Sequence, residues 1–124
     1  MLTEKDYCDK DLSATLIEMG FRGFGNFYYG KDSSKLKTTH QFLTPRTAKA
    51  LNLTLAVSLY EAQKFLRKEK KIHIEIDLLM AKWYPTIVSY NRLKLVELRG
   101  YEFYEEALLE GIKEAIKLLK EERK

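Results

Sequence analysis

Residues Ser58 to Asn91 decide the fold, and they read SLYEAQKFLRKEKK, then IHIEIDLLMAK, then WYPTIVSYN. The first segment predicts a helix with a capping box, in which the Ser58 side chain accepts from the Glu61 amide and Glu61 accepts from the Ser58 amide. The next two segments predict consecutive strands that pair as a hairpin, with the turn at Ala81–Lys82. A helix followed by a hairpin is therefore the centre of the predicted fold.

The first strand of this hairpin alternates apolar and polar residues with the period of two that is typical of a sheet with one buried face. Its isoleucines are expected to face the helices, which leaves His73, Glu75 and Asp77 on the opposite face. This row is compatible with metal binding or proton sharing. It contains a single histidine, however, and an exposed polar row is the commoner outcome. We therefore expect no metal and no other cofactor.

The hairpin also carries two irregularities. The run Leu78–Met80 is apolar on both faces of the strand, which indicates burial beneath another element or a partner chain. Pro85 lacks the amide hydrogen that a ladder needs, so its strand is expected to lie at an edge or to contain a bulge. Alternation in Asn91–Gly100 predicts a third strand.

Helical periodicity predicts two more helices. The first covers Asp9–Met19 and ends at Gly20, because a glycine directly after the last periodic residue readily adopts the left-handed conformation that closes a helix. The last covers Tyr101–Glu122, with Gly111 on its apolar stripe. A glycine inside a helix costs about 1 kcal/mol relative to alanine, so its position on the stripe indicates a close approach to the sheet.

The segment from Gly20 to Gly30 interleaves glycines with aromatic residues. A phosphate-binding loop would require a Gly-Lys-Ser/Thr ending or a preceding strand, and both are missing. A second interpretation is stacking of the rings on unpaired bases near Arg22 and Lys31. We favour the third, a turn that leads into a short aromatic strand over Asn26–Tyr29.

His40–Thr44 predicts a strand that returns beside the aromatic one, and Pro45 ends it or confines it to an edge. Arg46–Val57 fits both the helical and the strand period. We favour a loop followed by a short extended segment there, with a helical turn as the alternative. Together these elements predict an α+β fold, a mainly antiparallel sheet with about three helices packed on one face, in a single domain over residues 1–124.

Composition limits the function classes. The chain has 124 residues, 45% of them hydrophobic, which is ample for one packed core. Its formal net charge of +4 permits nucleic-acid binding without requiring it. The single cysteine, Cys8, excludes an internal disulfide and a multi-cysteine metal site, and it fits a reducing, cytoplasmic location. The sequence shows no signal-peptide core and no membrane-spanning run, so we expect no membrane partner.

Three segments carry a resemblance to a known family: Met19–Phe21, the helix Leu59–Arg67 with its continuation Ile72–Ile74, and Tyr104–Ala107 with its continuation Gly111–Ala115. The chain resembles small proteins of unknown function encoded in the genomes and prophages of gut Bacteroidetes. The resemblance supports the fold and the type of cell, and it supplies no activity or site residues.

Two details qualify this resemblance. In such relatives the position of Phe103 commonly holds Ser, Thr or Asp, which would complete a capping box with Glu106, so the start of the last helix is less certain here. The second half alone is similar to HicB-type antitoxins and, more distantly, to double-stranded-RNA-binding domains. It lacks the basic helix start of the RNA-binding kind.

Three functions are compatible with the sequence. We favour a non-enzymatic interaction module, either a homodimer or a phage-type accessory protein that binds another protein. The alternative is a nucleic-acid-binding protein that uses a basic set of residues. That set consists of Lys64, Arg67, Lys68, Lys70 and Lys71, with Arg92 and Lys94.

An enzyme is the third possibility, and we do not expect one. Neither His40 nor His73 has a nucleophile or a metal partner that the sequence makes visible. Cys8 is expected to pack against the first helix rather than to react.

Overall fold

The computed structural model describes residues 4–90 and 94–122, with residues 94 and 122 described by their backbone alone. The chain divides into two compact units, Met1–Ser58 and Leu59–Lys124. Each unit combines helices with a three-stranded antiparallel sheet, which confirms the α+β class. The strands form two sheets rather than one, and the predicted helices are divided between the units. The single domain over residues 1–124 stays a prediction.

The first unit contains two helices and three strands in the sheet order β2-β1-β3. After a 3-10 turn at Glu4–Asp6, its elements are α1 (Lys10–Glu18), β1 (Gly25–Tyr29), β2 (Leu36–Leu43), α2 (Pro45–Ala50) and β3 (Thr54–Leu55). The predicted first helix, aromatic strand and returning strand are confirmed, although β2 begins earlier than expected.

Both ends of α1 are closed by the residues that the sequence offers. The Asp9 carboxylate caps the N-terminus. At the C-terminus Gly20 has a φ of 107°, as predicted. The Phe21 amide donates to the Leu16 carbonyl at 3.0 Å, and the Gly20 amide donates to the Ile17 carbonyl at 3.0 Å. These two bonds form a Schellman motif, which satisfies carbonyls that the helix end leaves open.

Helix α2 stands where the sequence favoured a loop, so the helical alternative was right for this part, and β3 confirms the short extended segment expected after it. Thr44 is its N-cap: the Thr44 side chain accepts from the Thr47 amide at 3.1 Å. In return the Thr44 amide donates to the Thr47 side chain at 2.8 Å. Pro45 occupies the first helical position, where its missing amide hydrogen costs nothing and its fixed φ suits the helix. The threonine-proline pair therefore starts this helix.

A buried polar network joins three elements of the first unit through the backbone of Cys8. The Cys8 carbonyl accepts from the Tyr29 hydroxyl at 2.6 Å and from the Ser13 hydroxyl at 3.3 Å. The Cys8 amide donates to the Val57 carbonyl at 2.8 Å, and the Ser13 hydroxyl accepts from the Val57 amide at 3.1 Å. Because each of these groups is satisfied, their burial stabilises the unit instead of opposing folding.

This network makes the stability of the protein dependent on pH in the alkaline range. Burial, and then electrostatic interaction with Asp9, Cys8 and Glu4, raises the pKa of Tyr29 from 10.0 to about 12. Between pH 10 and pH 12 the unfolded chain therefore binds fewer protons at this residue than the folded chain does. The free energy of unfolding then falls as pH rises, by up to roughly 2–3 kcal/mol.

The matched control is Tyr29→Phe, which loses the hydrogen bond to Cys8 and should be about 1–2 kcal/mol less stable at neutral pH. The gap in unfolding free energy between the two proteins should close and then change sign as pH rises from 10 to 12, because only the wild type carries the buried Tyr29 hydroxyl. Urea unfolding followed at several pH values measures the gap. A gap that stays constant over this range would contradict the prediction.

The second unit has the element order helix, three strands, helix. Its elements are α3 (Leu59–Glu69), β4 (Ile72–Leu79), β5 (Lys82–Ser89), β6 (Lys94–Glu97) and α4 (Tyr104–Glu122). The sheet order is β4-β5-β6, with β5 in the centre. Helices α3 and α4 pack against each other and against the inner face of the sheet. Ile72, Ile74 and Ile87 on that face are fully buried, which confirms the predicted alternation.

The hairpin turn lies one residue earlier than predicted. It consists of Met80 and Ala81, because Leu79 pairs with Lys82. The same register places Ile74 opposite Ile87, so both inner-face isoleucines reach the core. A turn at Ala81–Lys82 would pair Met80 with Trp83 and place Ser89 instead of Ile87 opposite Ile74, so the predicted turn position is wrong.

Pro85 lies in the central strand, so the predicted edge position is wrong. The register with β4 is continuous through Pro85, and the bulge lies on the segment after β6 that faces this strand, not in the strand of Pro85. The Leu98 amide donates to the Pro85 carbonyl at 3.0 Å. The next connection along the chain is the reciprocal pair between Trp83 and Tyr101, with both bonds at 2.8 Å. Two residues thus oppose Tyr84 on the facing segment, and this extra residue defines the bulge.

Gly111 brings α4 close to the sheet, as its place on the apolar stripe predicted. A Cβ atom at this position would lie 2.7 Å from Cγ2 of Ile74 and 3.4 Å from Cβ of Pro85. The first distance is too short for real atoms, and Ile74 is fully buried and cannot move aside freely. The helix can approach the sheet this closely only without a side chain at residue 111.

Gly111→Ala should therefore destabilise the protein. Overpacking costs about 1–3 kcal/mol, which exceeds the gain of up to about 1 kcal/mol that alanine brings to a helix. The matched control is Gly30→Ala, since a Cβ atom there meets nothing within 4 Å. Urea unfolding should show a lower midpoint for Gly111→Ala and little change for Gly30→Ala. Equal midpoints for the two variants would exclude the close contact.

Candidate interaction surface

The hairpin tip, defined as Leu78, Leu79, Met80 and Ala81, is the most exposed apolar part of the second unit. The side chains of Leu78, Leu79 and Met80 are 58%, 61% and 90% exposed. No other described element of the second unit covers them, so burial beneath another element of this unit, one form of the first predicted explanation, is wrong. The other explanation, cover by a partner, stays a prediction.

The backbone of the tip is held in a conformation that its residues disfavour. Met80 has a φ of 51° and Ala81 a φ of 65°. Two-residue hairpin turns with positive φ at both positions prefer Asn-Gly or Asp-Gly, because other side chains cost roughly 1 kcal/mol each in this region. Such outliers occur preferentially at functional sites. In this hairpin the unfavourable backbone conformation places the Met80 side chain at the most exposed position.

Beside the tip lies an open depression of about 440 Å³. The Arg99 guanidinium lies over the Tyr101 ring, 4.6 Å from its centre. The depression is open and its lining carries both charges, so it is better suited to side chains of a macromolecule than to a small molecule. A small molecule is usually enclosed by its binding site. The lining residues are Met80, Ala81, Lys82, Arg99, Gly100, Tyr101, Glu102 and Glu106.

The row His73, Glu75 and Asp77 lies on the outer face of β4, as expected. Across the strand pair these residues face Val88, Thr86 and Tyr84 in turn. Glu75 and Asp77 are exposed, whereas His73 is half-buried and its Nδ1 atom has no hydrogen-bond partner among residues 4–90 and 94–122. Within the described part of the chain no group of three or more His, Cys, Asp or Glu side chains is arranged to hold a metal ion.

The basic surface consists of the four exposed cations on and just after α3. Lys64, Arg67 and Lys68 share one face of the helix because they are three and four residues apart. Lys71 follows the helix with a φ of 57°.

The other predicted basic residues do not join them in the described structure. The Lys70 ammonium lies 5.9 Å from the centre of the Phe65 ring and is only half-exposed. Arg92 lies outside the described residues. Lys94 begins β6, and its side chain is likewise outside the description.

The residues considered for catalysis are not brought together within either unit. Cys8 is completely buried in the first unit, and His40 is exposed on β2. A thiol in a buried position is shielded from reagents and is poorly suited to act as a nucleophile.

One residue of interest escaped the sequence prediction. Gln63 was expected to face outward with its lysine and arginine neighbours, but it is half-buried and its side chain donates to the Ile74 carbonyl at 2.8 Å. This bond caps a main-chain group of β4, which is an outer strand of the sheet. The only sequence signal was an uncharged glutamine among the cations of α3. That signal predicts a hydrogen bond to β4 only if the strand beside the helix is already known.

Comparisons with protein-family models, curated proteins and solved structures found no significant match. Among the helices within residues 4–90 and 94–122, none is both long and apolar enough to cross a membrane. The resemblance to Bacteroidetes and prophage proteins thus stays a prediction.

Proposed function

We propose that this protein is a non-enzymatic protein-interaction module whose contact site is the hairpin tip. One observation carries the proposal: three consecutive large apolar residues are exposed at the end of β4 and in the turn that follows it, and the turn conformation is unfavourable for both Met80 and Ala81. The resemblance to prophage-encoded proteins supports an accessory role, and the single buried cysteine fits a cytoplasmic location.

The energetics favour a partner at this position. Burying an exposed leucine or methionine contributes about 1.5–3 kcal/mol each, and a few such anchors commonly dominate an interface. The turn conformation costs about 1 kcal/mol per residue, which Asn-Gly would avoid. Contacts of Met80 with a partner would offset that cost, whereas in the free chain nothing described does.

Stability and binding should respond oppositely to changes in the tip. Ala81→Gly removes the strain at residue 81 and keeps Met80, so it should raise stability by roughly 0.5–1 kcal/mol and leave binding intact. Met80→Asn also suits the turn, but it removes the most exposed apolar side chain. This variant should be at least as stable as the wild type and should bind its partner more weakly, by about tenfold or more.

The partner is identified by photo-crosslinking in cells, with a photoreactive amino acid in place of Met80 and, as a control, in place of the exposed Lys120 on α4. A protein crosslinked from position 80 alone is purified, and its affinity for the wild type and both variants is measured by calorimetry. Identical crosslinks from both positions, none from position 80, or unchanged affinity of Met80→Asn would each reject the tip as the contact site.

Nucleic-acid binding by the basic surface is a second candidate. The observation in its favour is that Lys64, Arg67, Lys68 and Lys71 are exposed and form no ion pair with any residue in the described ranges. Such cations are available to phosphates, and each phosphate contact releases counterions. The acidic first turn of α4, with Glu105 and Glu106, gives no support to a second basic contact there.

A salt titration tests this candidate with duplex and single-stranded oligonucleotides. Binding should weaken steeply with salt, and replacing Lys64, Arg67 and Lys68 by glutamine should reduce the slope of log K against log salt by about 2–3. Replacing Lys113, Lys117 and Lys120 on α4 by glutamine changes the net charge equally and should leave the slope unchanged. Absence of binding at low salt, or equal effects of the two triple variants, would reject nucleic-acid binding by this surface.

A further inference from the structure

We propose that the free edge of β4, over Glu75–Leu79, binds an extended strand of a partner protein in which basic and apolar residues alternate. The inference rests on the proposed interaction function and specifies the chemistry of the partner. Three observations carry it: the pairing register of β4, the hydrogen bond of Gln63, and the Glu75 and Asp77 carboxylates, which form no ion pair with a described residue.

The register determines which main-chain groups of β4 are open. The Tyr90 amide donates to the Lys71 carbonyl at 3.0 Å, so Lys71 and Tyr90 form a hydrogen-bonded pair. In an antiparallel ladder such pairs occur at every second residue. The odd-numbered residues of β4 therefore bond to β5, and the N–H and C=O groups of its even-numbered residues point away from β5. No other strand of the described structure pairs with β4 on that side.

Gln63 occupies one main-chain acceptor at this edge. Its side chain occupies the Ile74 carbonyl at 2.8 Å. Beyond that point the main-chain groups of Ile76 and Leu78 have no hydrogen-bond partner among the described residues. The side chains around them, apart from the half-buried Ile76, are exposed. A strand that docks here would satisfy these groups, as in other complexes formed by strand addition.

The side chains of β4 select the composition of that strand. Glu75 and Asp77 lie on the outer face, and neither forms an ion pair or a hydrogen bond with a described residue. Ile76 and Leu78 lie on the inner face. Residues of an added strand lie directly opposite those of β4 on the same face, where opposite charges and apolar pairs are favourable. The matching strand thus has basic residues on its outer face and apolar residues on its inner face.

The same charges disfavour a second copy of this chain as the occupant. If two β4 strands paired antiparallel about Ile76, Glu75 of each copy would face Asp77 of the other. If they paired about Asp77, the two Asp77 carboxylates would face each other. Like charges directly opposite are destabilising, and charges on edge strands commonly prevent self-association in this way. A basic partner strand turns the same carboxylates into favourable contacts.

Hydrogen exchange of the full chain, followed by NMR, tests the proposal. The probe is a synthetic peptide of eight residues, the length of β4, that alternates valine and lysine. It should slow exchange of the Ile76 and Leu78 amides roughly tenfold, which corresponds to one net hydrogen bond each, and barely affect Asp77, which already pairs with β5. A peptide that alternates valine and glutamate is the matched control and should have no effect.

A charge reversal supplies a second measurement. In the variant Glu75→Lys/Asp77→Lys, which changes only exposed side chains, the preference should reverse, so that the valine-glutamate peptide protects Ile76 and Leu78. Protection by both peptides, or by neither, overturns the proposal. So does protection produced by raising the concentration of the protein alone, because a second copy then occupies the edge.

These results are separable from the test of the hairpin tip. If a partner crosslinks from position 80 and binding depends on Met80, but Ile76 and Leu78 stay unprotected in its complex, the interaction function stands and the strand-addition mode fails. If the valine-lysine peptide protects the edge while Met80→Asn leaves partner binding unchanged, the edge stands and the tip is rejected.

Discussion

The contact between Gly111 and Ile74 is the constraint on which the second unit depends. Helix α4 approaches the sheet so closely that a single added carbon would overlap the isoleucine side chain. This contact closes one face of the sheet with apolar side chains. Together with α3 it leaves the outer face, the hairpin tip and the edge of β4 as the places where the unit meets its surroundings. The proposed contact surfaces are thus what remains of the unit after the inner face has been covered.

The first unit is held together on a different principle. Its centre is a set of main-chain and hydroxyl groups around Cys8, so specific distances as well as apolar area determine how α1, β1 and the segment after β3 meet. Buried networks of this kind tolerate little change, because the loss of one member leaves another unsatisfied. Apolar packing, as at the inner face of the second unit, is less directional. The first unit is therefore stabilised largely by directional hydrogen bonds, and the second mainly by apolar packing.

Sequence patterns predicted those features whose cause is local. Gly20 follows the last periodic residue of α1 and takes the conformation that this position requires. The isoleucine alternation of β4 identified its buried face. The features that were missed depend on tertiary context or on unusual residues. Met80 and Ala81 do not prefer the turn that they form, so only the pairing of the flanking strands places it there.

Other errors had similar causes. Thr47 stands where a capping box usually has glutamate, so the start of α2 was not recognised. The role of Gln63 could not be inferred, because no local pattern indicates that β4 lies at the edge of its sheet. The exposure of Leu78 and Leu79 was missed for the same reason, because the sequence does not show that β4 is an outer strand. An apolar run is usually buried in a central strand, whereas here it lies exposed at the end of an outer one.

The hydrogen bond from Gln63 also limits how long a bound strand can remain. With the Ile74 carbonyl occupied, the proposed strand pairs with the main chain of two residues, Ile76 and Leu78, and each hydrogen bond contributes about 1 kcal/mol net. So short a ladder gives rapid dissociation, since affinity in related complexes is governed mainly by the off-rate. On the strand-addition proposal, a single glutamine thereby makes the edge suited to brief, reversible contacts.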